Sequence, residues 1–260
     1  MKTIAGKTVL LTGASRRIGV LIARALAREQ ASVVSVSHLD ISNVEELSLL
    51  GQQINQFAGS WENIDILINN TALVKYGAFQ DYSLEDLQSV LATNLLVAME
   101  LTRLVLPSMV SRGSGHIVNI ASLAGKKGSP YNSIYSASKA GLIMWSDAIR
   151  QELVNTGVGI SVICPGYVSQ AGMFFGVPAP SFAGTSTPME VANAVTRAIK
   201  QNKAEIIVNQ GSMRGSLTKV MLAIGQLSPS FGDAVYRCLG VAKLNQMRAE
   251  NQMQAENLFL

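Results

Sequence analysis

The sequence contains little cysteine, histidine or charge. Its 260 residues include two cysteines and two histidines. Neither a disulfide framework nor a zinc site of Cys and His ligands is therefore expected, and we predict no metal. Charged residues make up 15% of the chain, against about 25% in an average soluble protein. Because hydrophobic residues reach 48%, the composition excludes extended disorder and predicts a folded chain with a large core.

Basic residues are few and scattered. The 21 Lys and Arg exceed the 17 Asp and Glu by four, and the adjacent basic pairs are Arg16-Arg17 and Lys126-Lys127. Such a distribution argues against a nucleic-acid surface. The first residues carry no apolar run typical of a signal peptide, and the uncharged stretch 153–189 is rich in Gly and Pro. We therefore expect a cytoplasmic protein with no nucleic-acid partner and no transmembrane segment.

Short apolar runs alternate with segments of helical periodicity. The runs predict strands at Thr8–Leu11, Val33–Val36, Ile64–Ile68, His116–Ile120, Ile160–Ile163 and Glu205–Val208. The periodic segments predict helices at about Ile18–Arg28, Val44–Phe57, Leu84–Arg112 with an interruption near Pro107, Tyr135–Thr156 and Met189–Gln201. This alternation predicts an α/β fold, a doubly wound parallel sheet of the Rossmann type, with ligands at the carboxyl ends of its strands.

The last residues of the chain form a separate helical pattern. We predict a Rossmann-type domain at 1–215 and a helical extension at 216–260. Apolar residues of the extension form a stripe that includes Leu217, Val220, Met221, Ile224 and Leu227. The stripe would pack on the domain or on a partner subunit, and attachment to a membrane surface is the alternative.

Two patterns suggest chemistry. Gly13 and Gly19 bracket a turn between the first strand and first helix, where backbone N–H groups can bind phosphate. Far along the chain, Ser122 precedes Tyr135, and Lys139 follows Tyr135 by four residues. A spacing of four places Tyr135 and Lys139 on one helical face, so we expect the ammonium to lower the pKa of the phenol from about 10.

Four motifs, in this order, resemble those of the short-chain dehydrogenase/reductase family over residues 6–208. They are Thr12-Gly13-Ala14-Ser15-Arg16-Arg17-Ile18-Gly19, Asn69-Asn70-Thr71-Ala72, Ser122 with Tyr135-x-x-x-Lys139, and Pro165-Gly166-x-Val168. The resemblance implies hydride transfer between a nicotinamide and a carbonyl or alcohol carbon. It implies that Tyr135 is the general acid/base, that Ser122 binds the substrate oxygen, and that Lys139 tunes Tyr135 and binds the ribose. Asn94 matches the family asparagine that holds a water in the proton relay.

The resemblance also implies a set of cofactor-binding residues. These are Gly13, Ser15, Arg16, Arg17, Ile18, Gly19, Asp40, Ile41, Asn70, Ala72, Tyr135, Lys139, Pro165, Gly166 and Val168. The chain departs from the family pattern at three of its motifs. Arg17 replaces the middle glycine of the phosphate turn, Ala72 replaces a glycine beside the ribose, and Ser169-Gln170 replaces the usual carboxamide-binding Thr.

The second strand bears on cofactor choice. An NAD enzyme places a carboxylate after this strand, whereas Ser37 and His38 stand here, with Arg16 and Arg17 in the phosphate turn. Ser37 and His38 are therefore further candidate cofactor-binding residues, and an exposed position at the sheet edge is the alternative for His38. We therefore favour NADP(H) over NAD(H).

Three residues separate Val36 from Asp40, where the family has a helix and a further strand. That unit must be missing, so Val33–Val36 is expected to be the sheet edge, with six core strands.

The substrate is described only coarsely by the sequence. Leu123, Tyr131 and the segment 167–188 would bound its pocket, and the apolar residues of that segment favour a small, largely apolar or neutral ketone, aldehyde or 3-oxoacyl compound. The residues concerned are Met173, Phe174, Phe175, Val177 and Phe182. The alternative is an NADP(H)-binding regulatory or scaffold protein without turnover.

The family resemblance further implies that Leu84–Arg112 and Tyr135–Thr156 pair across a two-fold axis in a homodimer or homotetramer.

Overall fold

The computed structural model describes residues 3–15, 17–36, 50–52, 54–56, 58–169, 185–209 and 212–257. The side chains of 17, 212–219, 256 and 257 lie outside this description.

A parallel sheet of six strands forms the centre of the molecule. In the order β2-β1-β3-β4-β5-β8, its strands lie beside one another and all pair in parallel. Two short strands, β6 and β7, form a separate parallel pair. The bounds are β1 Thr8–Thr12, β2 Ser32–Val36, β3 Ile66–Asn69, β4 Gly115–Ile120, β5 Val158–Pro165, β6 Tyr167–Val168, β7 Thr185–Ser186 and β8 Glu205–Val208. The predicted parallel α/β fold is confirmed.

Helices cover both faces of the sheet, as continuous apolar strands require. The bounds are α1 Arg17–Arg28, α2 Leu84–Leu91, α3 Val97–Ser111, α4 Ser133–Glu152, α5 Pro188–Gln201, α6 Ser212–Leu227, α7 Pro229–Cys238 and α8 Val241–Asn257. On one face α1 and α5 pack through Ile22, Leu26 and Val195. On the other, Leu101 and Val105 of α3 pack in a cluster that includes Leu50 and Ile54. Residues 44–49 of the predicted second helix lie outside the described residues.

The predicted helix Leu84–Arg112 is interrupted, but not where the sequence suggested. The chain remains helical through Pro107, and the irregular turn is a π-helical one at Ala92–Leu96. Pro107 leaves the carbonyl of Arg103 without its helical donor, and Arg103 is exposed, so water can satisfy that carbonyl.

By length and composition Leu84–Ser111 could also cross a membrane. Buried Val97, Leu101 and Val105 instead pack it into the core.

Among the described residues, β2 is the outermost strand on its side of the sheet. It pairs only with β1, from Thr8 beside Ser32 to Thr12 beside Val36. The expected six-stranded sheet with this edge is therefore confirmed for the described part. Residues 37–49, which follow the edge strand, lie outside it.

The three C-terminal helices contact the rest of the chain by their polar side chains. Lys127 forms an ion pair with Asp233 of α7, and Asn245 of α8 donates to Ser129 Oγ at 2.8 Å. The predicted apolar stripe is largely exposed, with Leu227 at 88%. Val220, Ile224 and Leu227 are therefore not buried on the domain, and packing of the stripe on a partner subunit stays a prediction. The division at 215/216 stays a prediction, and α6 begins at Ser212.

His116 lies in the middle of the sheet and serves the fold. It is fully buried, and its Nε2 is 2.8 Å from Ser161 Oγ on the neighbouring strand. Burial lowers the pKa of its imidazole to about 3, so the ring is neutral at physiological pH.

Candidate active site

The glycine turn after β1 is closed so tightly that a methyl group cannot be added. Gly13 has a φ of +67°, and its N–H donates to the Val36 carbonyl at 2.6 Å. A Cβ on Gly19 would lie 2.1 Å from the Gly13 carbonyl oxygen. The turn therefore brings the N-terminus of α1 directly over the end of β1, where backbone N–H groups can bind a phosphate.

The end of β3 is fastened to the same turn. Asn70 Nδ2 donates to the Thr12 and Gly13 carbonyl oxygens, both at 3.0 Å. In return Thr12 Oγ1 accepts from the backbone N–H groups of Asn70 at 2.9 Å and Thr71 at 3.1 Å. The first two motifs of the sequence thus form one rigid edge at the carboxyl ends of neighbouring strands.

The three residues predicted for catalysis come together. Tyr135 and Lys139 lie one turn apart on α4 and are 8% and 1% exposed. The Lys139 ammonium is 5.7 Å from the centroid of the Tyr135 ring and donates to the Ile120 carbonyl at 2.9 Å. Ser122 follows β4, and its hydroxyl hydrogen-bonds the phenol of Tyr135. Its Oγ also accepts from the Ala124 N–H at 3.2 Å, which fixes the side chain at the start of a short 3₁₀ turn.

Burial dominates the protonation of this group. It raises the pKa of Tyr135 to about 12, although the hydrogen bond from Ser122 acts in the opposite direction. It also lowers the pKa of Lys139 to about 8. The expected lowering of the Tyr135 pKa is therefore wrong for this structure, because desolvation outweighs the stabilisation of phenolate. At neutral pH the phenol keeps its proton and can act as a general acid.

Asn94 sits in the π-helical turn and connects two parts of the site. Its Oδ1 accepts from the Leu73 N–H at 2.7 Å, and its Nδ2 donates to the Leu73 carbonyl at 2.8 Å. The same Nδ2 donates to Ser138 Oγ on α4 at 2.9 Å. Asn94 thus holds the segment after Ala72 against the helix that carries Tyr135. Its role in a proton relay stays a prediction.

A cavity of about 470 Å³ connects many of the predicted residues. Gly13, Gly19, Asn94 and Tyr131 do not line it, so the expectation that Tyr131 bounds the pocket is wrong. Those on its wall are Ile18, Asn70, Ala72, Ser122, Leu123, Tyr135, Lys139, Pro165, Gly166 and Val168. Ser15 is exposed beside the turn. Arg16, Ser37, His38, Asp40, Ile41, Gln170, Met173, Phe174, Phe175, Val177, Phe182 and the side chain of Arg17 lie outside the described residues.

Sequence reasoning missed part of this wall. Tyr76, Asn245 and Arg248 also line the cavity, together with Met221, Leu222, Gly225, Gly232, Val235, Tyr236, Leu239 and Val241 of the C-terminal helices. Tyr167, in the segment predicted to bound the pocket, lines it as well. A buried arginine in a polar, amphipathic tail has no distinct sequence pattern. One face of the predicted helix could have indicated it, because Val241, Leu244, Arg248 and Gln252 recur at intervals of three or four residues.

A family model described as short chain dehydrogenase matches residues 35–176. Ketoacyl reductase HetN of Nostoc sp. is 57% identical over 279 aligned positions, covering 98% of this chain and 96% of the relative. That alignment is longer than the 260 residues here, so the relative carries residues that this chain lacks. The 3-oxoacyl-[acyl-carrier-protein] reductase FabG of Escherichia coli is 28% identical over 218 positions, covering 73% of this chain and 88% of FabG.

A solved structure resembles the fold over most of the chain. It is described as an NAD(P)-dependent gluconate 5-dehydrogenase from Beutenbergia cavernae with bound NADP at low occupancy. Its TM-score is 0.66 at 26% sequence identity, over 79% of this chain and 95% of that protein.

Proposed function

The chain belongs to the short-chain dehydrogenase family, and on that premise we propose that it is an NADP(H)-dependent oxidoreductase of carbonyl and alcohol substrates. The observation that carries the proposal is the meeting of Ser122, Tyr135 and Lys139 on the wall of the cavity that also reaches the glycine turn. The solved relative described with bound NADP supports the cofactor. We further propose a cytoplasmic location, no nucleic-acid partner and a small-molecule substrate.

The residues present fit a dinucleotide. Glycine at position 19 lets the turn close against the Gly13 carbonyl, where a Cβ would lie 2.1 Å from its oxygen. The closed turn places the N-terminus of α1, whose backbone N–H groups can bind a pyrophosphate, at the end of β1. Gly13, Ser15, Arg16, Arg17, Ile18 and Gly19 would hold the pyrophosphate, Asn70, Ala72 and Lys139 the nicotinamide ribose, and Pro165, Gly166 and Val168 the nicotinamide. Ser37 and His38 with Arg16 and Arg17 would receive a 2′-phosphate, and Asp40 and Ile41 would contact the adenine.

The chain itself supplies the proton and the orientation. When bound, NADP(H) supplies or accepts the hydride at the carbon that is reduced or oxidised. Ser122 binds the substrate oxygen, and Tyr135 donates its phenolic proton to that oxygen as the carbonyl becomes an alcohol. The phenolate left behind is stabilised by Lys139 and regains a proton from solvent. In the oxidation of an alcohol, the same groups act in reverse.

The proposed substrate is small and largely apolar or neutral, a ketone, an aldehyde or a 3-oxoacyl compound. The names of two relatives, a ketoacyl reductase and a 3-oxoacyl reductase, support the last of these. The test is oxidation of NADPH by the purified protein with a panel of ketones, aldehydes and 3-oxoacyl thioesters. NADPH binding without turnover of any member would favour the regulatory or scaffold alternative.

Cofactor preference gives one prediction. Ser37→Asp should move preference from NADPH toward NADH by at least about tenfold in the ratio of dissociation constants. The reason is that a carboxylate repels a 2′-phosphate and accepts from a 2′-hydroxyl. The measurement is the quenching of protein fluorescence by each cofactor, with Ser37→Asn as the uncharged control. Tighter binding of NADH by the unaltered protein would contradict the proposal.

Assembly gives another prediction. Two helical regions proposed to pair across a two-fold axis carry exposed apolar side chains, namely Leu84, Leu91, Leu96, Val110 and Met144. We expect light scattering at micromolar concentration to give a dimer or tetramer, and Met144→Glu to shift it toward monomer. Met253→Glu is the matched control, since Met253 is exposed on α8, outside both regions and outside the apolar stripe of α6. A monomeric mass for the unaltered protein would reject the oligomer.

A further inference from the structure

The last helix of the chain fixes one tyrosine of the cavity wall. The backbone N–H of Tyr76 donates to Gln252 Oε1 at 3.1 Å, and the Arg248 guanidinium lies 5.8 Å from the centroid of the Tyr76 ring. The same guanidinium also lies 5.1 Å from the centroid of the Tyr167 ring. Arg248 is completely buried and donates to Asn245 Oδ1 at 2.6 Å. Tyr76 therefore has a fixed position that α8 determines.

The direction of the bond between Arg248 and Tyr76 follows from chemistry. Their side chains are hydrogen-bonded, and a guanidinium can only donate. The phenol oxygen of Tyr76 is thus the acceptor, and its own proton is directed away from Arg248. Burial raises the pKa of Tyr76 above its usual range, so the phenol keeps that proton. Tyr76 is 6% exposed and lines the cavity.

Tyr76 shares its cavity wall with the reacting group. The side chains of Tyr76 and Tyr135 both line the cavity of about 470 Å³. A ligand whose reacting oxygen meets Ser122 and Tyr135 would therefore lie in the same cavity as a second phenol.

The charges of the wall favour a ligand rich in acceptor oxygens. Among the lining residues that the structure describes, the charged ones are Lys127, which pairs with Asp233, Lys139 and Arg248, and none is Asp or Glu. A wall of this kind stabilises oxygen atoms that carry partial or full negative charge.

We propose that Tyr76 is a specificity-determining residue that donates a hydrogen bond to a second oxygen of the substrate, carried close to the reacting carbon. An acyl carbonyl or a carboxylate two carbons from the reacting carbonyl has this chemistry. Arg248 and Gln252 are positioning residues that act through Tyr76. The inference rests on the proposed function, because Ser122 and Tyr135 define where the reacting carbon lies.

The test uses substrates that differ by one oxygen atom. Ethyl 3-oxobutanoate has the second carbonyl, 4-ethoxybutan-2-one lacks it, and acetoacetate replaces the ester by a carboxylate. Tyr76→Phe keeps the ring against Arg248 and removes only the hydroxyl. We expect it to lower kcat/KM about fivefold for ethyl 3-oxobutanoate, in line with the loss of one hydrogen bond, and less than twofold for 4-ethoxybutan-2-one. A larger loss with acetoacetate would identify a carboxylate as the group that Tyr76 binds.

Two further variants separate positioning from general damage. Thr196→Val is the control for the loss of one hydroxyl, since Thr196 Oγ1 donates to the Asn193 carbonyl at 3.0 Å on α5 and lies outside the cavity wall. It should leave the ratio of the two substrates unchanged. Arg248→Met should reproduce the selective loss of Tyr76→Phe, and the double variant should add nothing to it. Equal losses for both ketones, or none, would overturn the inference.

A binding measurement keeps this inference separate from the proposed function. If the unaltered protein reduces neither ketone, the proposed function fails. Dissociation constants for the alcohols, ethyl 3-hydroxybutanoate and 4-ethoxybutan-2-ol, then test Tyr76 by NMR titration. Tyr76→Phe should weaken the first about fivefold and leave the second unchanged, and an identical effect on both would overturn the assignment.

Discussion

Tyr135→Phe should reduce turnover by about 10² to 10⁴-fold while the dissociation constant for NADPH changes less than twofold. The reason is that the phenol is the proton donor to the substrate oxygen, and loss of a general acid has an effect of this size. The hydroxyl is carried by α4, whereas the turn that would hold the pyrophosphate follows β1. The measurements are single-turnover oxidation of NADPH and fluorescence titration of the same preparations.

Tyr82→Phe is the control for the loss of a phenolic hydroxyl, because its hydroxyl bonds only within its own segment. It should keep full turnover. A Tyr135→Phe variant with the turnover of the unaltered protein would exclude the proposed mechanism. Loss of NADPH binding together with turnover would instead assign Tyr135 to the cofactor site alone.

Gly19→Ala should weaken NADPH binding by at least about tenfold. The added Cβ would meet the Gly13 carbonyl oxygen at 2.1 Å and Ala14 Cα at 2.8 Å, so the backbone of the turn must move. Overpacking of this kind typically costs about 1–3 kcal/mol, and here the movement displaces the N–H groups that face the phosphate. Isothermal calorimetry with NADPH measures the effect.

Gly51→Ala is the matched control for adding one methyl group to a helical glycine. The nearest atom to its Cβ would be Trp61 Nε1 at 4.0 Å, so the methyl group fits. NADPH affinity should be unchanged, and the melting temperature should stay the same or rise, since Ala favours a helix over Gly. If Gly19→Ala also kept full affinity, the pyrophosphate would have to bind elsewhere.

The parts of the site that follow from local sequence were predictable. The turn of Gly13 and Gly19 depends on adjacent strand and helix, and the pair Tyr135 and Lys139 depends on helical spacing. Each pattern lies within a few residues, and the parallel sheet then brings the patterns to one edge. For the same reason six strands and their covering helices could be read from periodicity alone.

Two features depended on the balance of competing effects. Lys139 was expected to lower the pKa of Tyr135, but both groups are buried so deeply that desolvation determines the direction. Pro107 was expected to interrupt its helix, but the irregularity arose where Asn94 bonds Leu73 and Ser138. Sequence spacing shows which groups are neighbours. Burial then determines their pKa values, and tertiary hydrogen bonds determine where a helix becomes irregular.

Burial of the C-terminal helices could not be predicted from their hydrophobicity. The apolar stripe of α6 suggested packing, yet Val220, Ile224 and Leu227 are exposed. The more polar α8 is the helix that buries Arg248 and Asn245 against the domain. Hydrophobicity could not predict this, since the contacts that hold α8 are hydrogen bonds and cation–π contacts to residues distant in sequence.

The bond between Tyr76 and Gln252 joins residues 176 positions apart, and this separation sets an order of assembly on the ribosome. Every strand of the sheet, to Val208, has been synthesised before the first residue of α8. The turn that would hold the dinucleotide can therefore form on a nascent chain whose substrate cavity still lacks one wall. The wall that carries Tyr76, the residue proposed to distinguish substrates, is thus completed last.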